Sequence, residues 1–319
     1  MTAAQADDAP RPSTGPGFSD AVTYAFGDLD AELFGLARVG LTPSQDGQPQ
    51  ASGLAVLFAG YEPVAVRAAG GLPAGPVAGW EGVQAAGIQT VTHTPLAAWD
   101  VSFVGDDPTT GFRLRFEALS PAGVLDPDGP VALAGGMQGY EQLCRVTGIA
   151  TVRGEERAVS CLGQRGHSWG TANWEAIALT RTVAAWVDDD LALSLTAVRP
   201  AKAQSHADEA LAASLFRAPE EDGAVAAVAL PEVRLSTTSD AAGRQRRAGI
   251  ELFLDEDDAG HRAAGEVLCG TSLDLGRLRL DCAFFLWRME GLTGVGRYDV
   301  LRHADDRRAT PGVEAVDTG

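Results

Sequence analysis

The chain has 319 residues, 45% hydrophobic and 21% charged, a globular composition that excludes wholesale disorder. Its 43 Asp and Glu against 25 Lys and Arg give a formal net charge of −18, which excludes phosphate backbones and anionic membrane surfaces as natural partners. No stretch reaches the ~20 uninterrupted apolar residues of a membrane span, so no transmembrane segment is expected.

In chain order, the opening MTAAQADDAPRPSTGPG carries acids where a secretory leader needs a basic start and an apolar core. A cytoplasmic location is expected, and residues 1–18 read as a disordered tail. Short apolar runs follow at 31–41, 53–58, 64–68 and 87–94, each bounded by Gly, Pro or Asp. Phe112, Leu114 and Phe116 alternate with Arg113, Arg115 and Glu117, the period-2 pattern of a half-buried strand. The stretch 126–136 (DPDGPVALAGG) interrupts this pattern and reads as a seam between a domain at 19–135 and a second at 136–303. Beyond it, Leu191, Leu193 and Leu195 alternate with smaller residues, as do Leu278, Leu280, Cys282 and Phe284 with Arg277, Arg279 and Asp281. The best helical candidate is 205–216 (SHADEALAASLF), with a possible serine cap. Residues 304–319 read as a second disordered tail. Many short strands, in a chain whose 38 glycines suit frequent tight turns and bulges, point to an all-β fold of two antiparallel, barrel-like domains with little helix.

The chemically densest stretch is 139–174, GYEQLCRVTGIATVRGEERAVSCLGQRGHSWGTANW. Two extended arms flank the turn at Arg153–Glu156, where Gly154 can supply a positive φ, so a hairpin is predicted. Counting outward places His167 opposite Tyr140, Glu141 or Gln142, because turn type sets the register. Arg165, His167 and Trp169 share one face of the second arm, with Gln164 and Ser168 on the other. No cofactor is expected: the sequence has no GxGxxG after a strand and no GxxxxGK[ST]. No metal site is expected from the five scattered histidines and four cysteines, which have neither CxxC nor HExxH spacing. All four cysteines read as buried thiols.

The string GQRGHSWG (163–170) followed by Trp174 resembles the signature of the two-domain lipocalin-like proteins that include carotenoid hydratases (hydroxyneurosporene synthases), AttH-like domains and, more remotely, kievitone hydratases and Diels–Alderase-type cyclases. GYEQLCRVTG (139–148), the His93-Pro95-Trp99 element and EGLTGVGRYDV (290–300) are similar to further parts of that family, and Gly166 stands where relatives often carry an acid. The resemblance implies two lipocalin-like half-barrels around an apolar cavity, and a cofactor-independent enzyme acting on a hydrophobic, isoprenoid- or polyene-type small molecule.

Alkene hydration is the expected reaction; a shape-driven cyclase or isomerase and a non-catalytic carrier are the alternatives. Hydration needs a neutral acid to protonate carbon and a base for water. The candidate acid is Glu141 or Asp100. An adjacent Arg165 would lower the Glu141 carboxyl, which leaves Asp100 or Glu117 the better acid. His167 is the candidate base, and Arg165 an anchor for Glu141 or a substrate oxygen. Tyr140, Trp99, Trp169, Trp174, Gln164 and Glu117 are the candidate substrate-binding residues. The sequence sets no oligomeric state.

Overall fold

A computed structural model describes residues 3–75, 77–218, 223–255 and 260–304. The chain is all-β, built from two curled antiparallel sheets. The first sheet contains β1 (Phe18–Asp28), β2 (Leu33–Pro43), β3 (Pro49–Ala59), β4 (Glu62–Pro73), β5 (Ile88–Thr94), β6 (Ala98–Val104), β7 (Gly111–Ala118), β8 (Gly123–Val124), β9 (Met137–Val152) and β10 (Glu155–Thr171). Its order is β4-β3-β2-β1-β10-β9-β7-β6-β5, with β8 alongside β9. The second contains β11 (Ile177–Asp188), β12 (Leu191–Pro200), β13 (Ala210–Arg217), β14 (Ala226–Ala229), β15 (Glu232–Ser239), β16 (Gln245–Phe253), β17 (His261–Leu275), β18 (Leu278–Met289) and β19 (Leu292–His303), in the order β14-β13-β12-β11-β19-β18-β17-β16-β15. In each sheet a four-strand meander is joined through its first strand to the last strand of the unit, so the two halves share one path.

Period-2 alternation decides what each face meets. Phe26, Phe103, Phe112, Leu114, Phe116 and Val146 fill the concavity of the first sheet. Leu193, Leu195, Leu215, Phe285 and Trp287 fill that of the second. A third cluster, with Phe34, Phe58, Trp186, Phe216 and Phe284, lies between the sheets. Strands that contribute to two clusters are apolar on both faces, and their sequences lose the alternation that marks a half-buried strand.

Several expectations are corrected. The change of sheet falls between Thr171 and Ile177, because β10 pairs with β9 over 155–170 and with β1 over 162–171; 126–136 instead contains the short helix α1 (Pro130–Gly135). The expected helix at 205–216 is a 3-10 turn (His206–Asp208) followed by β13, whose Leu215 and Phe216 are buried on opposite faces. The tail at 1–18 is also structured in its described part: Gln5–Asp8 form a 3-10 turn and Asp8 is only 3% exposed. The tail expected at 304–319 lies, beyond residue 304, outside the described residues.

Candidate functional site

The β9–β10 hairpin closes through Arg153 (φ 52°) and Gly154 (φ 86°), the two left-handed residues of a tight hairpin turn, and that turn fixes the register. His167 lies opposite Tyr140, and Arg165 opposite Gln142. On the other side β1 places Val22 beside His167 and Tyr24 beside Arg165. Arg165 and His167 therefore point into the first half-barrel, where both are buried. Trp169, two residues further along the same face, is half-buried at the rim.

His167 is held at both ring nitrogens. Its Nδ1 lies 2.8 Å from the Asp7 carbonyl oxygen, which can only accept, so Nδ1 carries a proton. Its Nε2 lies 2.7 Å from Asp20 Oδ1. Burial pulls the imidazole below its ordinary pKa; Asp20 opposes that drop and the Arg165 charge adds to it. Trp80, Tyr140 and Trp169 meet the ring edge-on at centroid distances of 5.4, 5.6 and 4.9 Å.

Arg165 pairs with the Asp8 carboxylate and accepts no solvent contact. Its guanidinium carbon lies 5.0 Å from the ring centroids of both Trp99 and Tyr140. Burial alone would lower its pKa, but Tyr140 and Asp8 raise it, so the group stays charged. Burial likewise raises the Tyr140 phenol. The other Asp8 oxygen accepts from Leu96 N (2.8 Å) and Trp99 Nε1 (3.0 Å), while Trp80 Nε1 donates to the Asp8 carbonyl at 2.9 Å. Arg11 closes the rim: its backbone N–H reaches Asp20 Oδ2 at 2.6 Å and its guanidinium lies 4.2 Å over the Trp169 ring.

The remaining candidates lie elsewhere. Trp99 faces inward, so its neighbour Asp100 must face outward; there it pairs with His93 (2.7 Å) and Arg115 (3.2 Å), half exposed. Glu117 is on the same outer face, bonded to Arg115. Glu141 and Gln164 alternate to the side facing the second sheet, where they bond each other and Arg297 approaches Glu141 at 3.7 Å. Burial raises the Glu141 carboxyl, with Arg297 and Gln164 opposing. A side chain at Gly166 would fall on the Glu141 carboxyl, so this acid fills the space where the resembling family often has one. Trp174 packs on His303 in a separate cluster with Val131, Ile177 and Val198. The structure thus brings together Arg165, His167, Tyr140, Trp99 and Trp169, but not Glu141, Asp100, Glu117, Gln164 or Trp174.

Sequence reasoning missed Asp7, Asp8, Arg11, Asp20 and Trp80. Their only local signal is the acid pair beside Pro10 and Pro12, which also fits a tail. A groove of about 180 Å³ opens beside this site, lined by Asp7, Arg11, Leu125, Gln138, Tyr140 and Trp169. Among the described residues no group of three or more His, Cys, Asp or Glu side chains is placed to hold a metal ion. Burial raises the thiols of Cys144, Cys161, Cys269 and Cys282, and all four are free; Cys161 is half-buried and the others buried. Among the described residues no helix is long and apolar enough to cross a membrane.

The fold recurs in solved structures. An AttH-type protein of Nitrosomonas europaea superposes with a TM-score of 0.65 at 14% identity, covering 89% of this chain and 92% of that one. Kievitone hydratase of Nectria haematococca gives 0.61 at 12% identity, covering 94% and 93%. CghA, solved with Sch210972, gives 0.58 at 13% identity, covering 90% and 89%. These likenesses show the lipocalin-like fold that the 163–170 string pointed to. No curated protein matches by sequence. Residues 4–304 match the profile of a domain of unknown function, DUF7064, and the chain belongs to that family.

Proposed function

We propose that this protein is a cofactor-independent enzyme of the hydratase type, adding water across an alkene of a hydrophobic, isoprenoid- or polyene-type small molecule at the rim of the first half-barrel. The observation that carries the reading is the buried His167–Asp20 pair, with Nε2 2.7 Å from Oδ1 while Nδ1 meets the carbonyl of Asp7, a residue that lines the groove. Asp20 orients the imidazole and keeps the Nε2 side occupied, so Nδ1 is the atom free to exchange a proton once the Asp7 carbonyl is displaced. Burial that lowers the imidazole pKa makes this proton easier to give up.

The reaction balances on this one nitrogen. In its imidazolium form His167 gives the Nδ1 proton to one alkene carbon, water bonds to the other, and the proton lost by that water returns to Nδ1. The cation formed in passing lies among the rings of Trp80, Tyr140 and Trp169, whose faces stabilise positive charge. Arg165 would repel such a cation were it not paired with a carboxylate, and its place in the scheme is to anchor a negatively charged oxygen. Asp100 and Glu117 have no part in this scheme because they face outward, and Glu141 faces the second sheet. The close-packed interior of the first sheet supports binding at the rim over full enclosure of a long ligand.

The test begins with native mass spectrometry of the freshly purified protein to identify a co-purifying compound. Turnover of that compound is then followed in ¹⁸O-labelled water. His167→Ala and Asp20→Asn are expected to lose about 10²–10⁴ in rate while still binding. Full turnover in His167→Ala, or a product without the label, overturns the proposal in favour of shape-driven cyclisation; binding with no turnover in the unaltered protein favours a carrier.

A further inference from the structure

We infer that the pocket around Asp8 is a carboxylate-binding site, held closed by the chain's own Asp8, and that the ligand of the first half-barrel carries a carboxylate that takes its place. This deepens the function proposed above and rests on it, since it names the anionic group that Arg165 anchors.

The donors that converge on Asp8 belong to the barrel wall and not to the segment bearing the acid. Arg165 and Tyr140 meet Oδ1 from β10 and β9, with the Tyr140 hydroxyl at 3.4 Å. Trp99 reaches Oδ2 from β6, and Leu96 does so from the β5–β6 turn. Leu96 has φ 61°, a left-handed backbone that a branched apolar side chain adopts at a cost, and this conformation goes with an N–H aimed at the acid. The cradle is therefore built by strand pairing, independently of residues 3–17, which form no strand up to Gly17. Arg165 Nε is buried and makes no hydrogen bond, so the cradle has donor capacity that Asp8 does not use.

The second half-barrel gives the contrast. Glu209 meets Arg181 at 2.9 Å and Arg199 at 2.6 Å, but it immediately precedes β13, which is paired along its length with β12. Lifting that acid would unzip a sheet. Lifting Asp8 breaks no strand-to-strand bond: it releases the bonds to the Asp8 carboxylate and the Trp80 Nε1 bond to the Asp8 carbonyl, and it frees His167 Nδ1 from the Asp7 carbonyl in the same movement. The groove beside Asp7, Arg11 and Trp169 is also lined by Tyr140, whose hydroxyl meets Asp8. A monoanion fits best: Arg165 is the one cation that the barrel wall brings to Asp8 among the described residues, so a phosphate dianion would be buried with uncompensated charge.

The full-length Asp8→Ala variant tests this, with sodium acetate as the probe. Its melting temperature is expected to rise by about 2 °C or more in saturating acetate over sodium chloride of equal ionic strength. Phosphate and acetamide should give no such rise, and the unaltered protein none with acetate. An equal response to acetate and chloride overturns the proposal.

Should Asp8→Ala fail to fold, hydrogen exchange of the unaltered protein decides. The Leu96 amide is expected to exchange at least tenfold faster than the Val101 amide in β6, through opening of the Asp8 segment. Exchange of Leu96 only with global unfolding overturns the proposal. Neither arm involves turnover, so its failure is distinct from failure of the His167 chemistry.

Discussion

At the scale of single residues, the site is governed by charges that burial leaves no room to mismatch. Arg165 and Asp8 are both withdrawn from water, and removing one leaves the other as an uncompensated buried ion. Arg165→Met is therefore expected to destabilise the protein by about 3–5 kcal/mol in urea unfolding. Arg165→Met with Asp8→Leu should recover most of that loss, because it removes both charges. Glu141 behaves in the opposite way. Its carboxyl is raised by burial, so the folded protein binds that proton more tightly than the unfolded chain does, which keeps a pKa of about 4.3. Its contribution is full below that ordinary value and is lost as pH rises through the raised one. Glu141→Gln lacks this dependence, so its melting temperature relative to the unaltered protein is expected to be higher at pH 7 than at pH 5. A difference that does not change with pH would show that Arg297 fully compensates the buried carboxylate.

Among the elements, the β9–β10 hairpin was the most legible. Gly154 marked the turn, the turn set the register, and His167 fell opposite Tyr140, one of the three positions the count allowed. The face shared by Arg165, His167 and Trp169 followed from alternation alone. What could not be read was the partner on the far side of β10. Asp20 reaches His167 because β1 pairs with β10, and nothing local in either strand encodes a pairing across so long a separation. The same blindness placed Asp100 in the site, since its distance along the chain from Trp99 is one residue but its side chain emerges on the opposite face. The turn also gives a direct test. Gly154→Val forces a β-branched residue to φ 86° and is expected to cost about 1–2 kcal/mol in thermal or urea unfolding. Arg153→Asn, at φ 52°, is expected to be neutral or mildly stabilising, because Asn tolerates the left-handed region.

Over the whole molecule, the two sheets share one strand path yet were divided wrongly by composition. The sequence dips at 126–136, but the sheet continues through β9 and β10, because polar turns and domain seams have the same composition while only pairing distinguishes them. The apolar faces turned toward each other make the halves one folding problem. Phe284 of the second sheet packs on Phe34 (5.7 Å) and Phe58 (5.9 Å) of the first, and Trp186 joins them at 6.5 Å. Truncating such a fully buried ring removes its transfer energy and leaves a cavity, together about 3–5 kcal/mol. If the interface cluster couples the sheets, Phe284→Ala shifts one calorimetric transition to lower temperature as a whole. If each half-barrel stands by itself on its own interior cluster, the variant splits into two transitions, with the first sheet melting near its original temperature. The first outcome is expected, because β1 lies against β19 and β4 against β17, and both sheets lose apolar contact when the interface is thinned.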